Sequence, residues 1–216
     1  MPIIAEPMPP TCMAGFGSLP ERVRAFIALR LDAAVDDAIA ALSERLQASD
    51  NGLRQDDIRW VPRTNFHLTL LFLGPAVPRE RLAAISAPLD AIARQTAPFE
   101  ITARGVRAFP NLGRPRVIWV GLHGDGLPGL AARVAEAAAR CGFAPERRDY
   151  SPHLTIGRVR TLKSSARLRR ALGEAAESTF GVSRIERAML YRSELGPHSS
   201  TYHELAAYPL GVGERE

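Results

Sequence analysis

Lysine is almost absent from this sequence. Lys163 is the single one among 28 basic residues, and arginine supplies the rest. Arginine suits bidentate contacts to phosphate, but so lopsided a ratio follows equally from genome composition. Cysteine is also scarce. Cys12 and Cys141 are too few for a disulfide framework or a cysteine metal site, which points to a reducing compartment. No apolar run approaches the length of a membrane span, and no basic start is followed by an apolar core. These absences lead to the expectation of a soluble, cytoplasmic protein. No glycine-rich loop of the nucleotide-triphosphatase type is present, and no nucleophile elbow.

What remains is ordinary in bulk. The chain has 216 residues, 46% of them hydrophobic, enough for one sizeable core. The formal charge of +5 permits a phosphate-bearing partner without requiring one. Residues 1–21 are rich in proline and glycine and read as a flexible extension, leaving 22–212 as the folded unit.

Two stretches in that unit are versions of one another: His67-Leu68-Thr69-Leu70 and His153-Leu154-Thr155-Ile156. In a strand, residues i and i+2 share a face. Each stretch therefore buries a pair of aliphatic side chains and presents a His and a Thr on the opposite face. The element order around them also repeats. Strands are expected at Val23–Leu29, Ile58–Val61, Phe66–Leu73 (stopped by Gly74-Pro75), Phe99–Phe109 and Val117–Leu122. Further strands are expected through the second motif, at Phe180–Leu190 and at Tyr202–Leu210, the last two around a turn at Gly196-Pro197. Helices are expected from Asp32, as N-cap, to about Ala48 (ended by Asn51-Gly52), over Arg79–Arg94, over Leu127–Arg140 and over Leu168–Glu177. An extended piece near Phe143 would complete the second half. In both halves the motif follows one helix and precedes another. The implied fold is α+β and bilobal: two pseudo-symmetric lobes of antiparallel sheet, helices outside, with the motif strands meeting across a central groove.

Two imidazoles on opposite sides of one substrate suit in-line displacement at phosphorus. With an ordinary pKa near 6.5, one can be neutral and take a proton from the attacking oxygen while the other protonates the leaving alkoxide. Hydroxyls two residues on, on the same face, can donate to the non-bridging oxygens. No metal or other cofactor is required. A substrate that is already strained and carries its own leaving group fits best, namely a 2′,3′-cyclic phosphate. A zinc site is the competing reading, but His123, His198 and His203 lie in unrelated contexts and no carboxylate repeats beside the motifs.

The two motifs with their flanks resemble the two-histidine phosphoesterases, and within them the bacterial and archaeal RNA 2′,3′-cyclic phosphodiesterases, also called 2′-5′ RNA ligases. The similar stretches are Phe26-Ile27-Ala28-Leu29, Ile58-Arg59-Trp60-Val61-Pro62, Asn65 to Gly74, Ala108-Phe109-Pro110, Arg116-Val117-Ile118-Trp119, Ser151 to Arg158, and Leu195-Gly196-Pro197. The resemblance implies hydrolysis of an RNA or nucleoside 2′,3′-cyclic phosphate to a 2′-phosphate. By it, His67 is the proton donor, His153 the proton acceptor, and Thr69 and Thr155 hold the phosphate. Arg158, five residues after the second His, joins them if the strand bends near Gly157; strict alternation puts it on the other face. Leu71 departs from the pattern, since many relatives carry a basic residue there. Phe26 and Phe109 are candidates for base stacking, though either can be core. Arg114, Arg116, Arg147 and Arg148 are candidates for an RNA-facing rim. The expected partners are RNA ends or nucleotides bearing the cyclic phosphate, with no membrane, and the chain is read as a monomer. Two other activities remain open on the same residues: binding of RNA ends without turnover, and 2′-5′ ligation.

Overall fold

The computed structural model describes residues 16–48, 57–144, 149–161, 165–196 and 199–211. The expected turn at Asn51-Gly52, the arginines Arg147 and Arg148, residue His198 and most of the N-terminal extension lie outside these. Nine strands and four helices follow in chain order among the described residues: β1 (Arg22–Leu29), α1 (Ala33–Gln47), β2 (Ile58–Trp60), β3 (Leu68–Pro78), α2 (Arg79–Arg94), β4 (Phe99–Phe109), β5 (Val117–His123), α3 (Gly126–Arg140), β6 (His153–Val159), α4 (Ser165–Glu174), β7 (Thr179–Ile185), β8 (Arg187–Leu195) and β9 (Ser200–Pro209). They form two antiparallel sheets, one in the order β3-β1-β8-β9 and the other β2-β6-β5-β4-β7.

Each motif strand pairs with the first strand of its own half, β3 with β1 and β6 with β5. The halves then exchange strands. β4 follows α2 in the chain, yet it pairs with β5 and β7. β8 returns to β1. β2 precedes the first motif but pairs with the second motif strand. The lobes are therefore pseudo-symmetric in space and interlaced in sequence. One continuous apolar core joins them, with Leu68, Leu70, Leu154 and Ile156 among its buried members. Truncating any of these to alanine would cost about 2–5 kcal/mol.

Several boundaries differ from the sequence expectation. β3 does not stop at Gly74-Pro75. Gly74 takes φ 145°, a conformation that suits glycine, and the strand continues to Pro78. The expected strand Phe180–Leu190 is two strands in different sheets, divided at Glu186. The second-half piece near Phe143 forms no strand among the described residues. Asp32 precedes α1 as expected, and its backbone carbonyl accepts the N–H groups of Val35 and Asp36, but its side chain makes no capping bond. Instead, its carboxylate accepts the Arg184 backbone N–H at 2.9 Å, and its own N–H donates to Ser183 Oγ at 2.8 Å, tying α1 to β7. At the end of the proline-rich extension, Phe16 is buried and Arg79 donates to the carbonyls of Gly17 and Leu19, so residues 16–19 are packed against α2.

Candidate active site

Both histidines reach one cavity of about 450 Å³ between the sheets. His67 sits one residue before β3 and His153 opens β6. Each is held the same way. The Nδ1–H of His67 donates to the Asn65 carbonyl at 2.8 Å, and that of His153 to the Ser151 carbonyl at 2.7 Å. The carbonyl can only accept, so Nδ1 carries the proton in both rings, and Nε2 is left for the cavity. Asn65 is itself fixed, its side-chain amide donating to the Ser200 carbonyl at 2.7 Å.

Thr69 and Thr155 line the same cavity, and among the described residues neither hydroxyl has a hydrogen-bond partner. Arg158 lines it too, because of a bulge. Trp119 pairs with Thr155 and Ile118 with Gly157, so Ile156 is an extra residue in β6. The extra residue reverses the alternation, which brings Arg158 to the face of His153 and Thr155. The first motif does the same. Ala28 pairs with Thr69 and Ile27 with Leu71, leaving Leu70 as the extra residue, so Phe72 comes round to the face of His67 and Thr69. Leu71, the departure from the resemblance, consequently points into the core and is buried.

The aromatic candidates flank the histidines. The Phe26 ring lies 4.9 Å from the His67 ring, and Tyr202 meets His67 edge-on at 5.2 Å. Phe26 is 5% exposed and forms the floor of the cavity with Tyr191 beneath it. Phe109 stacks on Trp119 at 4.8 Å and meets the His153 ring edge-on at 5.2 Å; it does not line the cavity. Arg114 and Arg116 are exposed and stand away from it. Reasoning from sequence missed Arg24, Arg59 and Tyr202, which also line it. Arg24 was within reach, since β1 alternates Arg24, Phe26 and Ala28 against Ala25, Ile27 and Leu29.

Among the described residues, the lining contains Arg24, Arg59 and Arg158 and no carboxylate. Burial pushes the His67 imidazole down to about 4; Arg30, His153 and Arg158 act in the same direction, and the bond to the Asn65 carbonyl opposes them. Burial and the neighbouring positive charges thus favour neutral His67, and negative charge beside the ring would favour its protonated form. Among the described residues no group of three or more His, Cys, Asp or Glu side chains could hold a metal ion. No described helix is long and apolar enough to cross a membrane.

The sequence model for the 2′-5′ RNA ligase superfamily matches residues 35–194. The chain belongs to this superfamily. It is 33% identical to a protein named RNA 2′,3′-cyclic phosphodiesterase from Methanothermobacter thermautotrophicus, over 88% of this chain and 100% of that one. The protein of the same name from Archaeoglobus fulgidus is 32% identical over 86% and 99%. A crystal structure from Thermus thermophilus superposes with a TM-score of 0.70 at 30% identity, over 88% of this chain and 99% of that one. Escherichia coli LigT, solved with 3′-AMP, superposes with a TM-score of 0.68 at 26% identity over the same shares. The superfamily match and the two-lobed architecture agree with what the paired motifs imply.

Proposed function

We propose that this chain hydrolyses 2′,3′-cyclic phosphate ends of RNA, or the corresponding nucleotides, to 2′-phosphates without a metal ion. The observation that carries the reading is the meeting of both motif histidines in one cavity lined, among the described residues, by three arginines and no carboxylate. The names of the superfamily relatives support the same general activity.

In this mechanism His153 Nε2 takes a proton from water as its oxygen attacks phosphorus. The bond from phosphorus to O3′ breaks in line, and His67 Nε2–H protonates the departing O3′. Thr69, Thr155 and Arg158 donate to the non-bridging oxygens as charge builds there. The division of roles between the histidines rests on the family resemblance. Burial and the charges of Arg30 and Arg158 hold His67 neutral, so binding of the anionic substrate is coupled to uptake of a proton from solvent, which the phosphodiester charge beside the ring favours. Residues 22–212 act as one unit, since one chain supplies both histidines of its cavity, and the chain is taken to act as a monomer.

The test is hydrolysis of a nucleoside 2′,3′-cyclic phosphate in excess EDTA, followed by phosphorus NMR. A 2′-phosphate product with EDTA-resistant turnover is expected. A 3′-phosphate product, or complete loss of activity with EDTA, would overturn the mechanism. Binding of RNA ends without turnover of any cyclic phosphate would leave only the end-binding alternative.

A further inference from the structure

His67 precedes the first paired residue of β3, so the ladder of that strand does not hold it. Its orientation depends on the turn before it, the single 3₁₀ turn Arg63–Asn65. Three ties hold that turn. Asn65, whose carbonyl receives the His67 Nδ1–H, donates its side-chain amide to the Ser200 carbonyl of β9. Arg63 pairs with Asp37 in α1 and donates to the Ala33 carbonyl at 3.3 Å. Arg30, just past the end of β1, is the third. Its Nη1 donates to the Thr64 carbonyl at 2.9 Å, and its Nη2 lies 3.4 Å from the Asp36 carboxylate in α1. The Thr64 carbonyl belongs to the peptide that leads into Asn65. Arg30 therefore grips the turn one peptide before the carbonyl that orients His67.

The two arginine ties differ in weight. Arg63 and Asp37 are both exposed, and an ion pair in water restrains little. Asp36 is 3% exposed, and its Oδ1 has no partner among the described residues, so Arg30 is what meets this buried carboxylate. A guanidinium can serve both acceptors at once because its donors stand in a rigid fork; an amide or an ammonium cannot hold the same two directions. Arg30 also carries charge on the His67 side. Among the charges that disfavour a proton on that ring it ranks ahead of His153 and Arg158. The other polar groups facing the cavity beside the ring are Arg24, Arg59 and Tyr202.

We infer that Arg30 is a positioning residue for His67: it bridges α1 to the Thr64 carbonyl and so holds the Asn65 carbonyl where it orients the ring. This rests on the proposed function in taking His67 as the proton donor. Arg30 touches no reacting atom, and its two effects are separable. The fork fixes the turn, and the charge disfavours a proton on the ring until negative charge is brought beside it.

The experiment compares the wild type with Arg30→Gln and Arg30→Lys. Steady-state kinetics use a nucleoside 2′,3′-cyclic phosphate. Nitrogen NMR of the free protein reads the tautomer and the titration midpoint of His67. In Arg30→Gln, kcat should fall about 10- to 100-fold with KM within about twofold, the signature of a misplaced group that does not bind substrate. His67 should pass from the Nδ1–H tautomer alone to a mixture of the two, and its midpoint should rise. Arg30→Lys should recover part of kcat and keep the midpoint low, since it keeps the charge. An unchanged tautomer with unchanged kcat in Arg30→Gln would overturn the inference. A raised KM with unchanged kcat would place Arg30 on the substrate instead. A lower melting temperature with both constants intact would leave Arg30 to the fold alone, and either result also overturns it. If Arg30→Gln fails to fold because Asp36 is orphaned, Arg30→Gln combined with Asp36→Asn carries the same readouts. A wild type that turns over no cyclic phosphate would sink the proposed function, while the tautomer would still decide whether Arg30 positions His67.

Discussion

His67 and His153 are fixed by the same hydrogen bond, Nδ1–H to the carbonyl two residues upstream, at 2.8 Å and 2.7 Å. The bond sets one tautomer in both rings and aims Nε2 of each at the same space. Replacing either with alanine should lower turnover of a cyclic phosphate by two or more orders of magnitude, following about 10²–10⁴-fold for each acid or base. Far-UV circular dichroism should be unchanged. Near wild-type turnover in either variant would remove that residue from the chemistry.

Thr69 and Thr155 make no internal hydrogen bond among the described residues, so their hydroxyls contribute little to folding. Thr→Val at either position keeps the branched shape. Turnover should fall by about 10- to 100-fold, less than for the histidines, with the melting temperature held within a few degrees. A large fall in melting temperature with intact turnover would assign these hydroxyls to the fold.

Anion binding should be coupled to proton uptake. His67, depressed to about 4 chiefly by burial, is neutral at pH 6, and negative charge brought beside it favours proton uptake. Calorimetric titration with sulfate, whose own charge does not change in this range, in buffers of different ionisation enthalpy should give uptake of up to one proton. His67→Gln should abolish it. Uptake that persists in the variant belongs to another group.

Acid stability should show two opposed contributions. His67 is depressed from 6.5 to about 4, so the fold favours its neutral form; that stabilisation is full above pH 6.5 and is lost as pH falls toward 4. Asp36, buried in α1, is raised from 3.8 to about 6, chiefly by burial, although Arg30 lies 3.4 Å away and works against the rise. Its protonated form is favoured, so its contribution is full below about pH 4 and is lost as pH rises through 6. Each amounts to about 3 kcal/mol, with opposite sign over the same window. Denaturation between pH 4 and 7 should give a nearly flat curve for the wild type, a falling one with rising pH for His67→Gln, and a rising one for Asp36→Asn. Three curves of the same shape would show that neither group is coupled to folding.

Much of this protein was legible before any coordinates. The alternation in Leu68, Leu70, Leu154 and Ile156 put both motifs on half-buried strands, because side-chain direction in a strand has a period of two. The repeated element order implied two lobes, and the paired motifs with their flanks implied the superfamily. These are local properties, set by each residue and its near neighbours. Three features depended on what came together across the chain. Strand exchange sent β4 and β8 into opposite sheets, because pairing partners are chosen by packing among distant segments. The bulges at Leu70 and Ile156 turned Phe72 and Arg158 to the cavity, and an extra residue in a ladder is defined only by the strand opposite. The depressed His67 and raised Asp36 arise from desolvation, and a linear sequence carries no record of how much water the fold removes from a side chain.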